Sequence, residues 1–580
     1  MKKMDYLSKK VVMTSVCSLL FVLFAFNAKG EEFAGQTTAG TYEISSAETL
    51  QLLKDFVNGT GSVAPYNAKH QCGGYTFMQT ADIDLTGQSF APIGNSGYRF
   101  KGTYDGGNYK ITGLSIGASG SPVSADGVGL FGYVDTGGAL KNIVLEGGSV
   151  YANNIAGSLT GGINTGTIDN CHSSCMVNGL GNVGGLIGKI EGNTTVSNCS
   201  SSGEVQPQST SSNALGGLIG TYSGSGAAPK VYNCYSTSNV SAKYQVGGFI
   251  GNCSGSGIIE NCYATGNITI TAENKGGGFI GDLSGTVVVK TCYATGNVIA
   301  STAGRNLLGG FAGDIRESNN VQNCYARGDV NGNQNIGGFA GHIARATVQN
   351  CYATGAVTGV DNVGGLVGYL EENNSTSAIK NSVALNPSIT RGSGTNNTFG
   401  AAIGKTTVTD ATRYSVNYSF NEMALPSGTL TGLACNQISK EDINLARNWW
   451  DISSSTGYYA TIGTVNPPDV WIFADHKLPI LKNGFFVNQS DAMPAHLLMS
   501  SDQVIQPASG QQNIFKISNG HLMIDENVEV TALRIYNVEG KVVLSDVSTA
   551  RVIDISHIQS GVYIVKAITN KGTKVAKIVK

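Results

Sequence analysis

The stretch Asn261-Cys262-Tyr263-Ala264-Thr265-Gly266-Asn267, NCYATGN, returns along the chain. CYATGN stands again at Cys292–Asn297, NCYARGD at Asn323–Asp329 and NCYATGA at Asn350–Ala356. Cysteines in this setting are Cys171, Cys199, Cys234, Cys262, Cys292, Cys324 and Cys351, spaced 27 to 35 residues apart. Between them lies a second signal, Gly184-Gly185-Leu186-Ile187-Gly188, with like elements starting at Gly216, Gly247, Gly277, Gly309, Gly337 and Gly364. Degenerate copies occur at Gly129–Gly132 and Phe399–Gly404, and at Asn381-Ser382 the cysteine has become serine. A period near thirty marks a repeat architecture.

The units are rich in Gly, Asn, Thr and Val and carry no 3.6-residue apolar stripe, which excludes helical repeats. A propeller blade needs four strands and usually more residues. One coil of a parallel β-solenoid per unit fits best. Parity within the unit supports it. Counting the cysteine as zero, Val or Ile stands at −3 (Ile168, Val196, Val231, Ile259, Val289, Val321, Val348). Small or apolar residues stand at +2 and +6. Positions 0, +2 and +6 share a strand face, whereas −3 has the wrong parity. The chain must therefore turn between −3 and 0. Position −1 is asparagine in every coil but one, Thr291. Asparagine tolerates the left-handed conformation of a corner. A stacked asparagine corner is expected, with both flanking apolar residues inside.

Coils stacked about 4.8 Å apart would align the cysteines in a column with parallel Cα–Cβ vectors. A disulfide needs converging side chains with Cβ atoms about 3.8 Å apart. The geometry favours buried thiols serving as small hydrophobes. Zinc has little support: there is no C-x2-C pair, and Cys171, His172 and Cys175 form a lone cluster. No cofactor or metal is expected.

Tyrosine at +1 (Tyr235, Tyr263, Tyr293, Tyr325, Tyr352) should face outward. It is flanked at +3 by Thr237, Thr265, Thr295 and Thr354, with Arg327 in one coil. This is a stabilising cross-strand ladder or an exposed aromatic face for stacking sugars or binding a protein. The five tyrosines are the candidate ligand-binding residues.

Glycine supplies 79 of 580 residues, about twice the usual share, and charged residues 13%, about half the usual share. A net charge of −2 gives no electrostatic case for nucleic acid or an anionic membrane. Lys2, Lys3, Lys9 and Lys10, the apolar run from Val11 to Phe26 and Ala28-Lys29-Gly30 read as a signal peptide over residues 1–30. No other segment is long enough to span a bilayer, so the mature chain is expected to lack a transmembrane segment.

The G-G-[LF]-[IVA]-G and N-C-Y-A-T-G units resemble the GLUG motif repeats of bacterial surface and secreted proteins. Tyr42–Ser45, Asp82–Leu85, Pro92–Gly94 and Phe100–Gly106 resemble their usual lead-in. The resemblance implies a β-solenoid, often in adhesin-like proteins, and no single activity. Open solenoid edges must be covered. A helix from Ser45 to Asn58, with Ser45-x-x-Glu48 as capping box and Gly59 as stop, fits an N-terminal cap. Residues 406–486, which hold Trp449, Trp450, Trp471, Pro467, Pro468 and Pro479, fit a C-terminal cap.

Beyond a linker at 487–512, alternating Val/Ile over Val530–Val543 and Val552–Val579 predicts a small antiparallel β-sandwich. It resembles the type A C-terminal sorting domain of type IX secretion in Leu533–Gly540, Ser560–Lys566 and the basic end. Gly540, Gly561, Val562, Tyr563, Lys574, Lys577 and Lys580 are the matching signal residues. The resemblance implies the type IX translocon and its signal-processing machinery as partners, removal of the domain after export, and a passenger released or held on the outer-membrane surface of a Bacteroidota cell.

The expected fold is thus an all-β, right-handed parallel β-helix with a short helical cap, followed by the sandwich. Residues 31–125 form the N-terminal cap and first coils, 126–405 the repeats, 406–486 the second cap and 513–580 the sorting domain. The expected function is adhesin-like display and binding of a glycan or protein ligand. An enzyme acting on glycans and a structural spacer are the alternatives. Catalysis would need clustered carboxylates. Asp82, Asp84 and Asp105 read as cap and turn residues, and Glu204, Asp282, Asp314, Asp329 and Asp361 as solvated acids at different repeat positions. Gly113-Leu114-Ser115-Ile116-Gly117 matches G-x-S-x-G but runs into a Gly/Ser loop, not a helix. Leu114 and Ile116 should point inward and Ser115 outward. No catalytic residue is assigned.

Overall fold

The computed structural model describes residues 40–446, 470–482, 489–499 and 514–580, apart from 64, 210–211, 225–229, 273–274, 302–303, 305–306, 318, 374–376, 415–416, 519–520, 526–527, 539, 547–550, 560 and 571. The signal peptide, Trp449, Trp450, Pro467, Pro468 and most of the expected linker lie outside the described residues. Two compact units emerge: the chain to Ser439 with Leu445–Ala492, and Lys440–Asn444 with Met493–Lys580.

The first unit is a parallel β-solenoid. One coil shows the plan. Ser256–Glu260 lies on the first face, Tyr263–Ala264 and Ile268–Ile270 on the second, Lys275–Gly277 on the third and Ile280–Leu283 on the fourth. Thr286–Lys290 then stacks in parallel beside Ser256–Glu260, with Ile259 opposite Val289. The first face is a 12-stranded sheet in strict chain order from Thr41–Ile44 to Ala378–Lys380. The third and fourth faces have nine and ten strands.

The turn between −3 and 0 is where parity placed it. Asn142, Asn170, Asn198, Asn233, Asn261, Asn323, Asn350 and Asn381 all have φ between 49° and 59°, and the exception Thr291 has 52°. The corner side chains bond from coil to coil: Asn170 Nδ2 donates to Asn142 Oδ1 at 2.8 Å and Thr291 Oγ1 to Asn261 Oδ1 at 2.7 Å. The Val/Ile column at −3 and all seven repeat cysteines are fully buried.

A second left-handed corner, not foreseen, precedes five of the seven Gly-Gly pairs. It is formed by Asn182, Ala214, Gln245, Asn335 and Asn362. The apolar residue after the pair forms an inner column in which Phe249, Phe279, Phe311 and Phe339 stack at 4.7–5.0 Å. Glycine is required beside it. A Cβ at Gly278 would meet the Gly310 carbonyl of the next coil.

The cap helix runs Ala47–Asn58, and its N-cap is Ser46, not Ser45. Thr49, not Glu48, completes the capping box, returning Oγ1 to the Ser46 N–H at 3.0 Å. Gly59 ends it at φ 64° as expected. Leu50, Leu53, Phe56 and Val57 are buried. Among the described residues no helix is long and apolar enough to cross a membrane.

The second unit holds two antiparallel sheets. One contains Phe515–Ser518, His521–Ile524 and Val552–Asp554. The other runs in the order Val542–Asp546, Val530–Asn537, Val562–Thr569, Gly572–Val579. Alternating residues such as Leu533, Ile535, Val565 and Ile578 meet in a common core.

Candidate functional site

The second face carries the five candidate tyrosines. Parallel register sets Tyr235 beside Tyr263, then Tyr293, Tyr325 and Tyr352. Successive ring centroids lie 4.8–4.9 Å apart with interplanar angles of 1–3°. The side chains point away from the cysteine column, but the expected exposed row is corrected. Relative exposure is 5% at Tyr263, 2% at Tyr293, 1% at Tyr325 and 0% at Tyr352. Coils at strand spacing press each ring face onto the next, so stacked faces are not open to a sugar. Burial pushes the Tyr263 phenol up to about 12.

What Tyr235, Tyr263, Tyr293 and Tyr325 do form is the floor of a groove of ≈ 630 Å³. Its walls are Ser200, Ser202, Thr237, Thr265, Thr295, Arg327 and Ser490. Ser202, Thr237 and Thr265 are exposed. The surface is therefore hydroxyl groups over aromatic edges, with one guanidinium and no carboxylate among the described lining residues.

A segment from the C-terminal cap closes one end. Trp471–Ile472 pairs antiparallel with Ile480–Leu481, and Leu478 N donates to Asp491 O at 2.9 Å. This small sheet lies on the last two tyrosines. Tyr325 OH donates to Gln489 Oε1 and Tyr352 OH to Pro479 O, both at 2.8 Å. Trp471 is buried, 6.4 and 6.0 Å from those rings, and its Nε1 donates to Asn323 Oδ1 at 3.2 Å. Arg327 breaks the threonine column because it holds this segment. Its Nη1 donates to Ser490 O at 2.6 Å and its Nη2 to Ala492 O at 2.8 Å. The sequence flagged Arg327 as an exception without revealing its partner.

The cysteine column contains only free thiols. Each repeat thiol also does what a small hydrophobe cannot. It donates to the carbonyl two residues back, as Cys262 does to Glu260 O and Cys324 to Gln322 O, both at 3.2 Å. Burial, then the neighbouring thiols, push the Cys262 thiol well up. His172 binds Ser200 Oγ and Asn170 Oδ1. Among the described residues no group of three or more His, Cys, Asp or Glu is arranged to hold a metal.

Two acids expected on solvated surface are corrected. Asp282 and Asp314 occupy the same position on adjacent fourth-face strands and are 3% and 2% exposed. Lys275 Nζ lies 2.9 Å from Asp282 and 2.8 Å from Asp314, while Arg316 reaches both at 3.1 and 2.9 Å. His342 places Nδ1 2.8 Å from Asp314 and Nε2 3.1 Å from Glu371. Three carboxylates do gather here, yet each is met by a cation or an imidazole. Elsewhere, Asp84 and Asp105 accept local N–H groups of Thr86 and Gly107 in turns, and Asp82 accepts that of Lys110. Leu114 and Ile116 point inward within the strand Lys110–Ile116, with Ser115 between them half-buried.

Gly540, Gly561, Val562, Tyr563, Lys577 and Lys580 gather toward one end of the sandwich, and Lys574 lies toward the other. Gly561 and Lys580 exchange backbone hydrogen bonds at 2.9 Å. Val562 pairs with Val579, Lys577 with Ile564, and Lys574 with Ala567. Tyr563 enters the core and its OH donates to Gln559 O at 2.7 Å. Gly540 takes φ 80° in the turn between two strands.

Comparison with known proteins gives two family matches. The GLUG motif matches residues 179–206, 243–271 and 332–358, and a secretion system C-terminal sorting domain matches 511–580. The chain is 36% identical over 176 residues to halomucin of Haloquadratum walsbyi, covering 28% of this chain and 2% of that protein. It is 30% identical over 168 residues to a predicted Gly-rich membrane protein of Evansella cellulosilytica, covering 26% and 17%. The chain thus spans a small part of the relatives it matches. A crystal structure of a predicted immunoglobulin A1 protease from Bacteroides ovatus aligns over 76% of this chain and 92% of its own, with 17% identity and a TM-score of 0.32. The sorting domain implies interaction with the type IX secretion machinery, secretion and cell-surface attachment. The chain thus carries GLUG motifs within a parallel β-solenoid and a type IX sorting domain at residues 511–580.

Proposed function

We propose that the solenoid is the displayed part of an adhesin-like surface protein, and that the groove over the tyrosine column binds an extended glycan or protein ligand. The sorting domain would be removed by the signal-processing machinery after export, leaving the passenger on the outer-membrane surface. The observation that carries the reading is the groove itself. Identical coils repeat Tyr and Thr side by side, and a long trough lined by hydroxyl groups suits a long, polar, repetitive ligand. Catalysis is the weaker reading because the gathered carboxylates lie outside the groove and are each met by a cation or an imidazole. A spacer would need no groove.

The test is a glycan-array and host-matrix screen with the full secreted chain and with a Thr237→Val, Thr265→Val, Thr295→Val variant, the thermal transition of both serving as the fold control. The expected result is a ligand lost or weakened at least tenfold in the variant. Equal binding by two folded proteins would remove the groove from the account.

A further inference from the structure

The +3 column is threonine in coil after coil, and one charge interrupts it. Arg327 stands at the end of the groove, half-buried, between the threonine rim and the closing segment. Three other arginines of the solenoid have carboxylate partners: Arg316 with Asp282 and Asp314, Arg345 with Glu317, Arg413 with Glu372. Arg327, like Arg99 and Arg391, donates to neutral carbonyls, here Ser490 O and Ala492 O, but it alone of the three lines the groove. A guanidinium has five N–H donors and keeps its charge at any physiological pH.

The nearby acids are engaged elsewhere. Asp491 pairs with Lys477 at 3.0 Å, and Asp329 accepts the Ala356 N–H at 2.7 Å. Within a trough of hydroxyl groups, then, one end is positive and no described lining residue neutralises it. The charge reaches the tyrosine column: burial raises the Tyr325 and Tyr352 phenols, and Arg327 opposes that shift at both.

We infer that the groove takes an acidic polysaccharide, whose carboxylate or sulfate group is held at the Arg327 end. The inference rests on the groove reading above. Serine, threonine and tyrosine hydroxyls both donate and accept, which matches sugar hydroxyls of the same dual character. Charge-assisted bonds to a guanidinium are roughly twice as strong as neutral ones and favour planar, two-oxygen acceptors. The hydroxyl walls thus hold any polyol chain weakly, while Arg327 selects those bearing an anion. Such selection falls with ionic strength, because a partly exposed charge is screened.

The experiment measures binding of the full chain to polygalacturonate, chondroitin sulfate, dextran and poly-L-glutamate at low and high salt. Polygalacturonate or chondroitin sulfate should bind at least tenfold tighter than dextran at low salt, and the two probes separate carboxylate from sulfate. Arg327→Gln should abolish that preference while weak polyol binding persists. Arg327→Lys keeps the charge and should retain most of the preference, which a purely segment-anchoring role would not predict. Equal affinity for dextran, an unchanged preference in Arg327→Gln, or poly-L-glutamate binding as tightly as the glycans would overturn the inference. If the triple Thr→Val variant binds every probe like wild type, the groove reading itself is what has failed.

Discussion

Ser382 stands where seven earlier coils have cysteine, and its hydroxyl donates to Lys380 O at 2.9 Å. Cys351 Sγ makes the same bond to Gln349 O at 3.2 Å. The position therefore asks for a small buried group with one polar hydrogen, not for sulfur chemistry. Cys262→Ser should change the urea midpoint little. Cys262→Ala, which loses the donor and leaves a small void, should cost about 1–2 kcal/mol. If serine proves as harmful as alanine, the hydrogen bond is not what the column selects. At the corner one step earlier, Asn350 has φ 59°, donates to Asn323 at 3.3 Å and accepts from Asn381 at 3.4 Å. Asn350→Ala should lose about 1–2 kcal/mol for the left-handed backbone, and Asn350→Gly should recover that part. Equal midpoints for Ala and Gly would show that the side-chain ladder alone matters. Much of this motif was legible because parity forces a turn before the cysteine. The last two letters were not. Gly296 is needed because a Cβ would meet the Gly266 carbonyl of the coil before, and Asn297 because its Oδ1 accepts the Asp329 N–H of the coil after at 2.9 Å. Both duties belong to neighbouring coils, which a single repeat does not display.

Between strands, the fourth face shows why composition misled. The residue after each third motif glycine is Lys189, Thr221, Asn252, Asp282, Asp314, His342 and Tyr369 in successive coils. Only aspartate recurs there, at Asp282 and Asp314, and the other five coils carry five different residue types, so nothing in the sequence marks the position as buried. Asp314 tests what the network contributes. Burial pushes its carboxyl up, but the His342 hydrogen bond and the charges of Lys275, His342 and Arg316 outweigh that and hold it below the ordinary value. A depressed carboxyl stabilises the fold fully above its unfolded value, about 3.9. That contribution is lost as pH falls through the lower folded value. The stability gap between wild type and Asp314→Asn should therefore be about 3–5 kcal/mol near neutrality and close progressively below about pH 4. Urea midpoints of both proteins from neutral to strongly acid pH measure it. A gap that stays constant would mean the loss comes from packing, not charge. The closing segment was legible only in part: Trp471 and Pro479 marked a cap, but its seat on the tyrosine face depends on Arg327, which lies in a distant repeat with no tryptophan signal beside it.

At the scale of the molecule, each coil touches mainly its two neighbours, so the array should tolerate loss of one whole unit. Deleting residues 262–291 joins the Asn261 corner directly to Cys292. Tyr235 then meets Tyr293, and Phe249 meets Phe311, each at a register the array already uses. Lys275 and Asp282 leave together, so the remaining network keeps Arg316 on Asp314 and His342 between Asp314 and Glu371. No buried charge is stranded. A deletion of half that length would instead put first-face residues on the third face and turn apolar side chains outward. The whole-coil deletion should keep the β circular-dichroism spectrum and protease resistance, and the half-coil deletion should lose both. Its groove would be one Tyr–Thr rung shorter with Arg327 still in place. Affinity for a long ligand should then fall while any preference for anionic glycans remains. Should the whole-coil deletion unfold as readily as the half-coil one, stability would have to reside in particular coils, and the repeat would not be the unit on which fold and groove are both built.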